Sequence, residues 1–190
     1  MTTPTADVSV RVAWAEDATA IAAIQVRAWQ RAYADVLPAD LLSVLPADEF
    51  AAQWTESITR PRDARQRVLV ALERATVRGF AATVPATDAD ASAATDAELT
   101  ELVVDPSTPR AGHGSRLLHA AADTMRSDRF TRATVWLNVT DDALRSFFLG
   151  QGWGADGAHR TLDLHADGSV VVKQIRLHTD LSASPAPGAS

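Results

Sequence analysis

The chain has 190 residues, 46% of them hydrophobic and 22% charged, which fits one domain with enough length to bury a sizeable core. Its formal net charge of −6 argues against non-specific nucleic-acid binding and is mildly compatible with an amine or other cationic substrate. Cysteine is absent, so disulfides, thiolate catalysis and cysteine-ligated metals are excluded together.

Residues 1–7 read as a flexible tail with neither the basic segment nor the apolar core of a secretory signal. No uninterrupted apolar run is long enough to span a bilayer, so a soluble, cytoplasmic protein is expected. Residues 8–14 alternate apolar and polar and predict a first strand. Asp17 is placed to cap the helix that follows, in which Ala18, Ile21, Ile24, Ala28, Trp29 and Ala32 fall on one side. Pro38 disfavours helix in the residue before it, so this helix should end between Tyr33 and Leu37. A second helical stretch covers 39–45, and a third starts at Pro46 with Phe50, Trp54 and Ile58 at helical spacing. Trp29 and Trp54 read as core residues. Tyr33 is the only tyrosine, and at a helix end its hydroxyl could pack or reach a ligand equally well.

Residues 60–65 form a charged loop, and 66–73 with 77–84 predict a hairpin turning near Arg74 to Thr76. The Ala/Asp/Thr-rich stretch 85–96 has no apolar period and is expected to be exposed and mobile. A central strand over 97–104 precedes a helix from Ser115 to about Phe130, whose Leu118, Ala121, Ala122 and Met125 face the sheet. A strand at 133–139 follows, then a helix capped by Asp141 and closed by Gly150 or Gly152. Two last strands, 160–164 and 170–177, are joined through Asp167-Gly168, a hairpin signal. Residues 181–190 are expected to be disordered. The order β-α-α-β-β-β-α-β-α-β-β predicts an α+β fold, a mixed, mostly antiparallel sheet flanked by helices, as one domain over 8–180.

The stretch from Glu98 to Ser115 carries the chemistry. A strand ending in Val104-Asp105-Pro106, a loop with Gly112 and Gly114, and an amphipathic helix expose free N–H groups at a helix N-terminus. A phosphate-bearing ligand is expected there. A nucleotide-triphosphate loop would need a lysine after the glycines, and a dinucleotide fingerprint a third glycine; neither is present. The segment instead resembles the pyrophosphate-binding motif of the GNAT superfamily of acyl-CoA-dependent N-acetyltransferases: Val-Asp-Pro, then Arg/Gln-x-x-Gly-x-Gly/Ala, then a small residue and paired leucines, here Val104-Asp105-Pro106 and Pro109-Arg110-Ala111-Gly112-His113-Gly114-Ser115-Arg116-Leu117-Leu118. The slot usually holding Arg or Gln contains Pro109, with Arg110 one residue later. The Trp29 to Pro38 wording and the Trp54 helix also resemble the N-terminal half of bacterial members, where the first helices wall the acceptor site.

The resemblance implies a GNAT fold over nearly the whole chain, acetyl-CoA as cosubstrate without a metal, and direct transfer to a primary amine of a small molecule or protein. It implies that the backbone of Leu102, Val103 and Val104 holds the pantetheine arm, with the N–H of Val103 or Val104 polarising the thioester oxygen. The amides from Arg110 through Ala111, Gly112, His113 and Gly114 to Ser115 would hold the pyrophosphate. Asn138 would bind the pantetheine arm or the acceptor. Glu98 and Glu101 are the candidate bases; alternation puts them on opposite faces unless a β-bulge, usual in the family, changes the parity. Glu98, six residues before Val104, occupies the slot of the family's strand glutamate and is favoured. The family's tyrosine, which protonates the leaving thiolate, is replaced by Phe148, and its usual opening asparagine by Asp141. That leaves water or Tyr33 as donor, or slow turnover.

The histidines lack metal-ligand spacing, and His113 fills a position usually aliphatic, so its ring is expected to pack. The alternative function is an acyl-CoA-binding module with weak or no turnover, and a third is an interaction protein that keeps only the fold. Neither a nucleic-acid nor a membrane partner is expected, and a homodimer is left open.

Overall fold

The computed structural model describes residues 8–34, 38–108, 111–163 and 171–182. Seven strands appear: β1 (Val8–Val12), β2 (Arg67–Glu73), β3 (Thr76–Pro85), β4 (Asp96–Val104), β5 (Arg132–Asn138), β6 (Gly154–Asp163) and β7 (Val171–Asp180). The helices are α1 (Ala18–Ala32), α2 (Ala39–Ser43), α3 (Ala47–Thr59), α4 (His113–Ser127) and α5 (Asp142–Gly150). The sheet order is β1-β2-β3-β4-β5-β7-β6, with β4–β5 parallel and the β1–β2, β2–β3, β5–β7 and β6–β7 pairs antiparallel. This is the α+β, mostly antiparallel architecture expected. The chain divides into two compact units, Met1–Val84 with Glu101–Asp123, and Pro85–Thr100 with Thr124–Ser190, so β4 contributes to both.

In the first unit, β2 reads Val68-Leu-Val-Ala-Leu72 without polar interruption because it is buried on both faces. One face packs Val68, Val70, Leu72, Phe80 and Ala82 against Ile21 and Ile24 of α1, with Trp54 and Ile58 of α3 and Val103 of β4 alongside. Trp54 meets Phe80 edge-on at 5.1 Å, and its indole N–H donates to Gln25 at 2.7 Å, so its one polar atom is satisfied inside the core. The hairpin turns where expected, with Arg74 in the left-handed region at φ 56°. One expectation is corrected: the Asp17 side chain makes no cap to α1. It closes a 3-10 turn instead, accepting the Trp14 N–H at 2.7 Å and pairing with Arg11 at 2.6 Å.

In the second unit, β4 is registered to β5 from Asp96↔Arg132 to Glu98↔Thr134, and β7 lies between β5 and β6. Asp141 caps α5 as expected, accepting the Leu144 N–H at 2.9 Å. The strand β6 begins at Gly154, before the expected Arg160, because a register shift between Ala155 and His159, with Gly157 at φ 86°, carries the pairing past a break in the alternation. The segment expected to be mobile is instead pinned. Asp88 accepts the Trp136 indole N–H at 3.1 Å and an Arg176 Nη1–H at 3.0 Å, Asp90 accepts from both terminal nitrogens of Arg176, and Asp96 accepts the Ser92 N–H at 3.1 Å. Its carboxylates are staples. The Asp167-Gly168 turn and both chain ends (1–7 and 183–190) lie outside the described residues.

Candidate active site

The loop expected to bind phosphate lies within the first unit, and Asp105 fixes where the chain leaves β4. It is 4% exposed, accepts from Arg27 at 2.7 and 3.2 Å and from the Ser107 N–H at 3.0 Å, and donates its own N–H to Arg78 at 2.7 Å. Burial would raise its pKa, but the hydrogen bonds from Arg27 and Ser107 and the charge of Arg27 hold it below the usual carboxylate value. The Val-Asp-Pro signature is therefore an anchor for the strand end.

Beyond the loop, Gly112 takes φ 76°, a conformation that favours glycine, and α4 begins at His113, two residues earlier than expected. The first bond of the helix ladder runs from Arg116 N–H to the Gly112 carbonyl at 3.2 Å, which leaves the N–H groups of His113, Gly114 and Ser115 outside it. Arg116 also folds back, donating to the Ala111 carbonyl at 3.0 Å, and a Cβ on Gly112 would lie 2.8 Å from its guanidinium. Free amides, the positive end of a helix and a guanidinium thus occupy one turn, the chemistry a diphosphate needs. Arg110 and Pro109 lie outside the described residues. The His113 ring is buried, as the packing expectation holds, and both ring nitrogens lack a hydrogen-bond partner. Burial, with help from Arg116 and Arg78 and against Glu73, pushes its pKa down, so the ring stays neutral.

The strand leading into the loop carries Glu101, Leu102, Val103 and Val104, all half-buried. Close approach from β3 is set by Gly79, where a Cβ would meet the Val103 carbonyl at 2.7 Å and the Val104 Cα at 3.2 Å. Glu101 is pushed up to about 7 by burial alone. Tyr33 follows the last turn of α1, its N–H bonded to the Trp29 carbonyl at 2.9 Å and its ring edge-on to Trp29 at 6.4 Å.

In the second unit, Glu98 is half-buried; burial and then Asp88 raise its pKa, and Arg160 and Arg176 oppose them. Asn138 ends β5, its side-chain oxygen accepting from Gln174 at 3.0 Å. Phe148 is fully buried between Phe147 and Trp153, with ring centroids 5.5 and 5.1 Å away, and brings no proton to any site.

A family model described as the acetyltransferase (GNAT) family matches residues 14–153. The chain belongs to the GNAT acetyltransferase family. As a GNAT N-acetyltransferase it moves an acetyl group from acetyl-CoA to an amine. A curated relative, the uncharacterised N-acetyltransferase YuaI of Bacillus subtilis (strain 168), is 28% identical over 130 residues, 68% of this chain and 71% of that protein. The PaiA N-acetyltransferase of Thermoplasma acidophilum, solved in complex with coenzyme A, shares the fold at a TM-score of 0.70 and 17% identity, covering 91% of this chain and 98% of that one. YncA of Salmonella typhimurium, solved with acetyl-CoA, does so at 0.67 and 16%, covering 97% and 99%. Among the described residues of this GNAT chain, no helix is long and apolar enough to cross a membrane, and no group of three or more His, Asp or Glu could hold a metal.

Three arginines beside the candidate site residues have no counterpart among the residues singled out from the sequence. Arg116 stands four positions after Gly112, one helical turn, so its return to the loop had a local signal. Arg27 reaches Asp105 across 78 positions, and Arg160 shares a sheet face with Glu98 from three strands away; neither relation leaves a local trace.

Proposed function

We propose that this enzyme acetylates a primary amine by direct attack on the thioester, with Glu98 removing the ammonium proton. The reading is carried by the turn at Gly112, where three helix N-terminal amides and Arg116 offer a diphosphate its partners. Acetyl-CoA supplies the activated acetyl group when bound. The N–H groups of Ala111 to Ser115, with Arg116 and Arg110, grip its pyrophosphate, and the backbone of Leu102 to Val104 holds the pantetheine arm. The N–H of Val103 or Val104 donates to the thioester oxygen, where charge develops. Asn138 binds the arm or the acceptor.

Glu98 suits the role of base because burial and Asp88 raise its affinity for a proton while it keeps some exposure. Glu101 is the second proton-handling group, able to hold or release a proton near neutral pH. Phe148 has nothing to donate, so the Tyr33 hydroxyl or water returns the proton to the departing thiolate, whose thiol pKa of about 8.5 makes it a tolerable leaving group. We place the protein in the cytoplasm, where acetyl-CoA is supplied, acting as one acetyltransferase domain over 8–180, free of nucleic acid and membrane, with a homodimer compatible.

The test is Glu98→Gln. It should lower kcat/KM for the amine by about 100-fold or more and remove the rise of rate with pH, while acetyl-CoA affinity by calorimetry stays in place. Wild-type turnover in the variant would remove Glu98 from the mechanism.

A further inference from the structure

The sheet face that carries Glu98 also carries three arginines, and their surroundings differ. Register sets the rows: Glu98 lies opposite Thr134, Trp136 opposite Arg176, and both Asn138 and Arg160 opposite Gln174. Arg176 is 3% exposed and is bound by Asp88, Asp90 and Asp156. Arg132 pairs with Asp156 at 2.7 Å and lies 3.7 Å from Asp96. Both cations are already neutralised.

Arg160 is not. Among the described residues it forms no ion pair; its Nε donates to Gln174 at 2.8 Å, and its guanidinium lies over the Trp136 ring, 4.3 Å from the centroid. The Gln174 amide is itself oriented, donating to Asn138 at 3.0 Å, which turns its oxygen toward Arg160. One edge of the guanidinium is thus fixed by Gln174 and one face by Trp136. The terminal nitrogens Nη1 and Nη2 are left as a pre-oriented fork, the geometry that binds a carboxylate through two parallel hydrogen bonds. The guanidinium lies over Trp136, which stands on the strand beside Glu98 and two residues along, so the Trp136 and Glu98 backbones are about 8 Å apart. Arg160 itself stands on β6, with β5 and β7 between it and β4, and its side chain extends across the shared face toward Trp136; its charge opposes the rise in the Glu98 pKa.

We propose that Arg160 is the anion-recognising residue of the acceptor site, and that the preferred acceptors are small primary amines that also carry a carboxylate, of amino-acid type. This rests on the acceptor meeting Glu98, as in the proposed function. Glu98 faces the amine end, and the Arg160 fork takes the carboxylate a few bonds away. The same fork disfavours polycationic amines, which would place a second positive charge against it.

The full-length protein is assayed with acetyl-CoA and matched amines: amino acids, their decarboxylated counterparts, and a polyamine. The wild type should prefer the carboxylated member of each pair. Arg160→Ala should lower the carboxylated-to-decarboxylated ratio of kcat/KM by about 10- to 100-fold, mostly through KM, and Arg160→Lys should restore part of it. Arg160→Gln, judged folded by its thermal transition, repeats the measurement if the alanine variant does not fold. A wild-type preference for decarboxylated or polycationic amines, turnover of no carboxylated amine, or an unchanged ratio in the folded variants would overturn the proposal. Glu98→Gln keeps the two readings apart: it should depress both members of a pair alike. If it leaves turnover intact while the Arg160 variants shift the ratio, the base assignment fails and the anion site stands.

Discussion

A carboxylate buried without a cation beside it keeps its proton to unusually high pH, and Glu101 is in that position, with burial the sole cause of its rise to about 7. Above its unfolded value of 4.5 the unfolded chain gives up that proton while the folded chain keeps it, so the wild type loses stability as pH rises from 4.5 to about 7. Glu101→Gln removes the titration. Its stability relative to wild type, from urea unfolding at a series of pH values, should climb over that window by up to about 3 kcal/mol and then level off. A flat difference would mean the carboxyl is hydrated. His113 works in the opposite sense: its folded pKa lies below the ordinary 6.5, so its contribution is present above 6.5 and is lost as pH falls. Because neither ring nitrogen finds a partner, His113→Leu should raise stability at pH 7 by about 1 kcal/mol and reduce the loss below 6.5. Destabilisation at pH 7 would reveal a partner for the ring.

Elements are positioned by a few such residues. Gly79 admits the Val103 carbonyl, and a methyl group there would press on backbone at 2.7 Å, which a side-chain rotation cannot relieve. Gly79→Ala should therefore cost about 1–3 kcal/mol in thermal unfolding and raise the KM for acetyl-CoA, since the displaced strand is the one assigned to pantetheine. An unchanged KM would detach Leu102 to Val104 from that role. The same elements show what a sequence carries openly. Periodicity placed α1, α3, the β2–β3 hairpin and β5 close to their positions, because each is a local pattern of apolar spacing. The Asp141 cap and the Gly112 turn were legible for the same reason. What was not legible depends on partners far along the chain. Asp88 and Asp90 read as part of an exposed, mobile stretch because Arg176, 88 and 86 positions away, is what holds them. Glu98 stands as the candidate base through a family resemblance; the charges that act on it, Asp88 from the loop before β4 and Arg160 and Arg176 from β6 and β7, give no local sign.

At the scale of the molecule, the fold and the family agree: an α+β sheet of the GNAT type and a match over residues 14–153. The acetyl-CoA reading narrows to the one turn where Asp105 stops a strand, Gly112 bends the chain and α4 opens with three amides outside its ladder. The direct measurement is calorimetric titration of acetyl-CoA into wild-type protein and Gly114→Glu. A glutamate in the first turn favours the helix itself, so the fold should persist while bulk and negative charge stand where the pyrophosphate belongs. The expected result is binding by the wild type and none by the variant at an undiminished thermal transition. Equal affinity in the two proteins would contradict the placement of the cosubstrate at this turn.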